Sequence, residues 1–394
     1  MFIEPPSTKT ENQTATENTE KLKPIKGRGA IGNPKHRFTT KHHEKFHDEW
    51  ETVEFSEPAP KTILIRESAK TIVSSNNSPD IGFDQSINPY RGCEHGCIYC
   101  YARPTHAYWD MSPGLDFETR IVIKENSAEQ LRQTLSKPGY RVSPICIGAN
   151  TDPYQPAESQ LKITRSVIEV FKEFKHPFSI ITKSHLIERD LDLIAPLAEQ
   201  KLCNVAVTVT TLNRDLKRLL EPRAPDGLKR LNTIRTLSEH GVNVTMMAAP
   251  IIPFINDNEL ERLLEEGKSS GAIDARYILI RLPHEVSPMF QDWLKAHFPC
   301  RSKKVMTVIR ESRGGKNYQS AFGERMRGVG KFAELLHQRW QISHRKLGFP
   351  ESIIHLSDLK KCFWRLIDDF ALMTNSFKRN PLPENKFIYL PHGL

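Results

Sequence analysis

The sequence predicts an α/β fold: a partial (βα)6 barrel with an N-terminal arm and a basic C-terminal extension. Three observations carry this. Short β-branched runs alternate with helix-period segments between residues 85 and 283, the pattern of parallel βα units. The run 205–211 places Val205, Val207 and Val209 on one face and Ala206, Thr208 and Thr210 on the other. Valines suit packing beneath helices, and a small polar face suits a lumen that holds a ligand. Unusual polar residues also gather at the predicted strand ends, where a barrel of this kind builds its site. A doubly wound sheet is the alternative reading of the same alternation.

Taken in order, residues 1–60 read as an arm. The first 25 are polar and aperiodic, as in a disordered segment, and residues 26–46 are basic and glycine-bearing. Residues 61–283 form the core. Its expected strands are 87–90, 145–149, 178–182, 205–211, 242–248 and 275–281, with a further short strand at 119–123. Ile163, Val167, Val170, Phe171 and Phe174 keep helical spacing, as do Ile187, Leu191, Ile194 and Ala198. Leu228, Leu231, Ile234 and Leu237 form a third helical stripe, and Leu260, Leu263 and Leu264 a fourth. Residues 284–394 form the extension, whose last forty residues, with Cys362, Phe363 and Trp364, read as a helix and tail.

Composition narrows the class. The 394 residues suffice to bury a full core. The longest largely apolar stretch, 244–255, contains Pro250 and Pro253. A membrane span needs roughly 20 uninterrupted apolar residues, so no transmembrane helix and no membrane partner is expected. The opening MFIEPPSTKTENQ lacks a basic-then-apolar pattern, which argues against export and for a cytoplasmic protein. Seven cysteines, an odd number, do not suggest a disulfide framework. Cys146 and Cys203 lie in apolar runs and read as small buried hydrophobes. The net charge of +9 raises the prospect of a polyanionic partner.

Cys93, Cys97 and Cys100 fall within INPYRGCEHGCIYCYARPTH. Three thiolates in so tight a loop can face one point, with Gly92 and Gly96 letting the backbone wrap closely. Thiolates select zinc, copper(I) or iron–sulfur clusters. Structural zinc asks for four closed ligands, and only His95 or His106 offers a local fourth. A [4Fe–4S] cluster held by three cysteines leaves one iron open to another ligand.

This CxxxCxxC motif at the end of the first strand of a βα series resembles the radical S-adenosylmethionine (radical SAM) superfamily. RGCEHGCIYCYAR followed by TDPYQPAE resembles its spore photoproduct lyase-like branch, also called DNA repair photolyase-like. The resemblance covers residues 85–283 and a basic segment up to 331. It implies that Cys93, Cys97 and Cys100 hold three irons of a [4Fe–4S] cluster. S-adenosylmethionine would chelate the fourth iron through its amino and carboxylate groups. Reductive cleavage of its sulfonium would then give methionine and a 5′-deoxyadenosyl radical that abstracts hydrogen from an unreactive C–H bond. An electron donor of flavodoxin or ferredoxin type is required. Tyr99 holds the position that lies near the adenine in such enzymes, with loop packing as its alternative.

Other strand ends offer cofactor contacts on the same resemblance. Many radical SAM enzymes bind the cofactor ammonium with a Gly-Gly-Glu after the second strand. Here that place holds Asn150, Thr151 and Asp152, whose oxygens are candidate acceptors; a plain Asp-Pro turn is the alternative. Lys183 and Ser184 end the third strand, where a lysine suits the cofactor carboxylate. Arg281 ends the sixth and suits that carboxylate or a phosphate. Lys183 as a solvated side chain and Arg281 in a surface ion pair are the alternatives.

From Arg301 to Lys331 the chain carries nine Lys and Arg against two Glu, with Gly314, Gly315, Gly323, Gly328 and Gly330 between them. Tyr318 and Phe322 are placed to stack on bases, so nucleic acid leads as substrate; a solvated basic surface or a cap over the barrel is the alternative. Residues 284–394 hold 19 Lys and Arg against 10 Asp and Glu, the whole surplus of the chain. The expected function is a radical SAM enzyme acting on nucleic acid, as a repair lyase or base modifier. The alternatives are a radical SAM enzyme for a protein or small molecule, and a non-catalytic, metal-stabilised nucleic-acid-binding protein.

Overall fold

A computed structural model describes residues 24–39 and 60–350. The segment expected to be disordered (apart from Pro24 and Ile25) and the C-terminal helix and tail with Cys362, Phe363 and Trp364 lie outside them. The described strands are β1 (Ile63–Glu67), β2 (Val73–Ser75), β3 (Gln85–Ile87), β4 (Tyr90–Arg91), β5 (Arg120–Lys124), β6 (Ile145–Ile147), β7 (Phe178–Thr182), β8 (Cys203–Thr208), β9 (Asn243–Ile251) and β10 (Asp274–Leu279).

The larger sheet has the order β10-β9-β8-β7-β6-β3-β2. From β10 to β3 every neighbour is parallel, and β2 adds an antiparallel edge. Among the described residues β2 and β10 have no strand partner on their outer sides, so the sheet is a partial barrel with no closure between them. The expected strand at 178–182 appears with those bounds. The one expected at 87–90 divides instead. Pro89 cannot donate to a ladder, and the chain leaves the large sheet at Ile87 to re-enter a smaller one at Tyr90. That second sheet, β1-β5-β4, takes in the extra strand expected at 119–123. β1 and β2 carry no apolar alternation strong enough to announce them: β1 is largely exposed and β2 has three residues.

Helices cover the strands by burying one stripe each. Ile163–Phe174 lays Val167, Ile168, Val170 and Phe171 on the sheet, with Phe171 stacked on Phe178 at 4.7 Å between centroids. Gly227–Glu239 starts where the Asp226 side chain accepts the Lys229 N–H at 2.8 Å, an N-cap that satisfies an otherwise orphaned donor. Its Leu231, Ile234 and Leu237 are buried, whereas Leu228 points outward at 50% exposure and does not belong to the expected stripe.

The basic extension begins inside the fold. Helices Val286–His297 and Pro299–Glu311 place Phe290, Trp293, Val305 and Ile309 in one apolar cluster with Ile98, Leu220, Ile252 and Leu282. This second core lies against the cysteine loop. The described part of the arm, residues 24–39, is also held: Gly29 N and Ala30 N donate to the two carboxylate oxygens of Glu118 at 3.0 and 2.8 Å. A Cβ on Gly29 would stand 1.8 Å from the Gly96 carbonyl oxygen, so the arm meets the cysteine loop backbone to backbone.

Candidate functional site

The chain leaving β4 turns sharply at Gly92 (φ +80°) and again at Gly96 (φ +68°), left-handed conformations that glycine adopts without strain. Between and after these turns lie Cys93, Cys97 and Cys100, all free thiols, the first two buried and the third half-buried. The loop is held from outside by Arg103, which is fully buried. Its Nε donates to the Cys97 carbonyl at 2.9 Å, and Nη1 donates to Pro113 and Gly114 carbonyls at 3.0 and 2.9 Å. Nη2 donates to the Gly96 carbonyl at 3.2 Å and to Glu118 at 2.5 Å. All five guanidinium donors are therefore used. The same Glu118 carboxylate receives the arm, so one buried pair fixes both segments.

Neither local histidine is placed as a fourth ligand. His106 gives its Nε2 to the Arg120 carbonyl at 3.1 Å and packs edge-on to Phe117; burial pushes its pKa down to about 4. His95 Nδ1 sits 3.3 Å from Asp152. Among the described residues no three His, Cys, Asp or Glu side chains converge on a single ion position. Three corner thiolates of a cubane do not need to converge so, whereas a closed zinc site does. As free thiols, Cys93 and Cys97 are pushed up by burial, Cys97 to about 12.

The β6 end gives its three candidates different work. Asp152 is saturated: its oxygens accept from Tyr154 N (2.9 Å), Thr182 Oγ1 (2.7 Å) and Lys183 N (2.8 Å), besides the contact with His95. Burial raises its pKa, but His95 and these donors outweigh burial and hold it at about 2. Thr151 Oγ1 donates to the Gly92 carbonyl at 2.6 Å and so ties this loop to the cysteine loop. Only Asn150, exposed, keeps its side-chain amide outside any hydrogen bond among the described residues. Ser184, another expected cofactor contact, is an N-cap whose Oγ accepts from Leu186 N at 3.2 Å. For Asp152, Thr151 and Ser184 the polar atoms thus complete the turns that carry them.

Lys183 is different. Its ammonium makes no hydrogen bond among the described residues, and it lies in the field of Cys97, Glu221 and Asp152. Burial lowers its pKa, but Cys97, Glu221 and Asp152 together more than offset burial and raise it. Beside it is a network that no sequence motif announces: buried Glu221 accepts from Tyr99 Oη, from Thr210 Oγ1 at 2.7 Å and from Arg230. Burial raises the Glu221 pKa, but Arg230 and Lys183 prevail and hold it at about 2. Tyr99 is thereby fixed by its phenol. Glu221 and Arg230 lie in a loop and a helix of ordinary composition, so nothing in the sequence marks them. Arg281 caps the face of Tyr101 at 4.5 Å, and Tyr101 Oη donates to the Ala149 carbonyl, linking the β10 and β6 ends across the mouth.

Residues 87–267 match the model of the radical SAM superfamily. They are a radical SAM domain. Such a domain implies a [4Fe–4S] cluster and S-adenosylmethionine, and the residues fit: three thiols in one clamped loop, with no fourth cysteine beside them among the described residues. Uncharacterized proteins of Mycobacterium tuberculosis and Mycobacterium bovis are 37% identical over 224 residues, 56% of this chain and 66% of theirs. One from Methanocaldococcus jannaschii is 28% identical over 239 residues, 61% of this chain and 85% of its own. Among solved structures, spore photoproduct lyase, including its complex with dinucleoside spore photoproduct, superposes with a TM-score of 0.50 at 15% identity. It covers 73% of this chain and 80% of that one, a likeness of fold. No helix among the described residues is long and apolar enough to cross a membrane.

The basic segment divides in two. Arg313 is buried and donates to the carbonyls of Leu279, Ile280, Glu324 and Arg325, pinning the extension to the end of β10. Arg325 Nε donates to Asp80, which precedes β3, at 2.6 Å. These two arginines are engaged within the fold. Lys303, Lys304 and Lys316 are exposed, and Gly314, Gly315 and Gly323 face open space.

Proposed function

We propose that this chain is a radical SAM enzyme acting on nucleic acid, as a repair lyase or a base modifier. Residues 61–283 are its catalytic core, residues 1–60 an arm and residues 284–394 an extension. The carrying observation is the arrangement at the mouth: three thiols in one clamped loop, His106 turned to the Arg120 carbonyl, and the Lys183 ammonium beside them. Cys93, Cys97 and Cys100 hold the cluster. Lys183 receives the carboxylate of S-adenosylmethionine, as a long cation beside the ligand loop suits. Asn150 offers an oxygen to its ammonium, and Tyr99, held by Glu221, lines the adenine side. Arg281 stands at the rim for an anionic group of cofactor or substrate. When bound, the cluster and S-adenosylmethionine supply one-electron cleavage of the sulfonium and hydrogen-atom abstraction from an unactivated C–H bond. A flavodoxin- or ferredoxin-like donor supplies the electron, and a reducing cytoplasmic setting suits the free thiols.

Two observations support nucleic acid as substrate. The fold is shared with a lyase solved with a dinucleoside photoproduct, and exposed lysines stand on the outer face of Pro299–Glu311 and in the loop after it. Anaerobic reconstitution with iron and sulfide, followed by reductant and S-adenosylmethionine, is expected to yield 5′-deoxyadenosine. Uptake of zinc alone, or no such product, overturns the radical reading. DNA and RNA binding is expected to weaken steeply with salt. Lys303→Ala with Lys316→Ala should reduce that slope by roughly one for each phosphate no longer neutralised. A flat salt response transfers the substrate to a protein or small molecule.

A further inference from the structure

Outside the mouth, the arm and the cysteine loop enclose an open cleft of about 520 Å³, lined by Lys26, Arg28, Lys61, Thr62, Glu94 and Arg223 among others. Among the described residues that line it, four are cations and one is a carboxylate. Glu94 is already committed: it accepts from Thr62 Oγ1 at 2.8 Å and from Ala157 N at 2.7 Å, and pairs with Arg223 at 3.2 Å. Arg28 has no carboxylate partner within 4 Å among the described residues; it donates to the Glu118 carbonyl at 3.1 Å and to the Pro60 carbonyl. Neutral carbonyls fix its direction without cancelling its charge. Lys26 and Lys61 are exposed, with no carboxylate partner among the described residues.

A cleft that gathers this surplus is unfavourable by itself. Burial, and next the charge of Arg223, push the Arg28 pKa down even though Glu118 and Glu94 act the other way. An oxyanion relieves that repulsion, and guanidinium forks bind phosphate oxygens in pairs.

We propose that this cleft is a phosphate-binding site, taking the phosphate of a free nucleotide-sized ligand or one phosphodiester of a strand. Glu94, which lines it, follows Cys93 directly, so a bound phosphate anchors its carrier beside the cluster loop. The site stands whether or not the radical chemistry acts on nucleic acid.

The test is calorimetric titration of the full chain with inorganic phosphate and, separately, with a dinucleotide bearing one internal phosphodiester. Saturable binding of one phosphate per chain is expected, weakened at least tenfold by K26E with K61E and by R223Q. R223K should retain more of it than R223Q, because the charge survives without the fork. Lys26 and Lys61 are exposed, so their replacement leaves the circular dichroism spectrum unchanged. Binding of the phosphate alone assigns a free phosphate ligand, and binding of the dinucleotide alone assigns a strand. No binding of either, or equal binding by the K26E/K61E variant, overturns the site. A C93A variant, unable to hold the cluster, should bind phosphate as the parent does, which separates this result from the fate of the radical reading.

Discussion

Arg103 shows how one side chain joins three stretches of chain: the cysteine loop, the turn at 113–114 and Glu118. Its five donors meet five acceptors in a fully buried setting, and lysine has only three donors on a single atom. Arg103→Lys keeps the charge yet leaves two of the five buried acceptors without this donor, each costing about 1–3 kcal/mol. The expected result is a lower urea midpoint, a loss of about 2–5 kcal/mol, and poorer iron incorporation on reconstitution. An unchanged midpoint would mean that the loop is not held as described. His176 carries a second residue-scale prediction, away from the site. It packs on Phe171, donates from Nδ1 to the Pro177 carbonyl at 2.9 Å and lies 2.9 Å from Tyr140 Oη. Burial, against the Pro177 hydrogen bond, lowers its pKa to about 4 from an ordinary 6.5. Between those values the unfolded chain binds the proton and the folded chain does not, so stability falls as pH drops from 6.5 to 4 and levels below. The loss is roughly 3 kcal/mol at most. His176→Phe should flatten this part of the stability profile, measured by urea denaturation at several pH values.

At the scale of elements, what sequence makes legible is whatever repeats with a period. The strand at 178–182 and the stripe through Val167, Val170 and Phe171 are readable because burial on a sheet imposes spacing. The cysteine loop is readable because its spacing is chemical. β1 and β2 are not, being short or exposed, and neither is the Tyr99–Glu221–Arg230 network, which depends on three chain segments meeting in space. Asp152, Thr151 and Ser184 show the converse: polar residues at strand ends also cap turns, and sequence does not separate the two uses. The meeting of arm and cysteine loop is an element-scale feature of this hidden kind. With a Cβ placed 1.8 Å from Gly96 O, Gly29→Ala must separate two backbones that have no side chain to yield. It should cost about 1–3 kcal/mol and disturb the two N–H donors that Glu118 receives. Reconstituted G29A is then expected to lose iron faster in air than the parent, followed by its iron and sulfide content over time. Equal retention would show that the arm does not guard the loop.

For the whole molecule, the question is whether the basic extension is an appendage. The charge surplus begins at residue 284, which suggests a catalytic core followed by a detachable basic segment. Packing argues otherwise. Phe290, Trp293, Val305 and Ile309 share their cluster with Ile98 of the cysteine loop, and Trp293 Nε1 donates to the Leu219 carbonyl at 3.2 Å. Arg313 and Arg325 then carry the chain from the end of β10 to Asp80, joining the two edge regions of the open sheet. A chain ending at residue 283 would expose Ile98, Leu220, Ile252 and Leu282 together. Truncating Trp293 alone to alanine costs roughly 3–5 kcal/mol, a large part of the roughly 5–15 kcal/mol that holds a typical domain folded. The 1–283 chain is therefore expected to aggregate or to lack a cooperative unfolding transition, whereas a chain ending at residue 350 should retain one. A soluble, cooperatively folding 1–283 chain that still takes up iron would make the extension an appendage after all. Lys303, Lys304 and Lys316 face solvent while the apolar side of residues 286–311 completes the core, so deletion cannot remove one without the other; charge-reversing substitutions at Lys303 and Lys316 can.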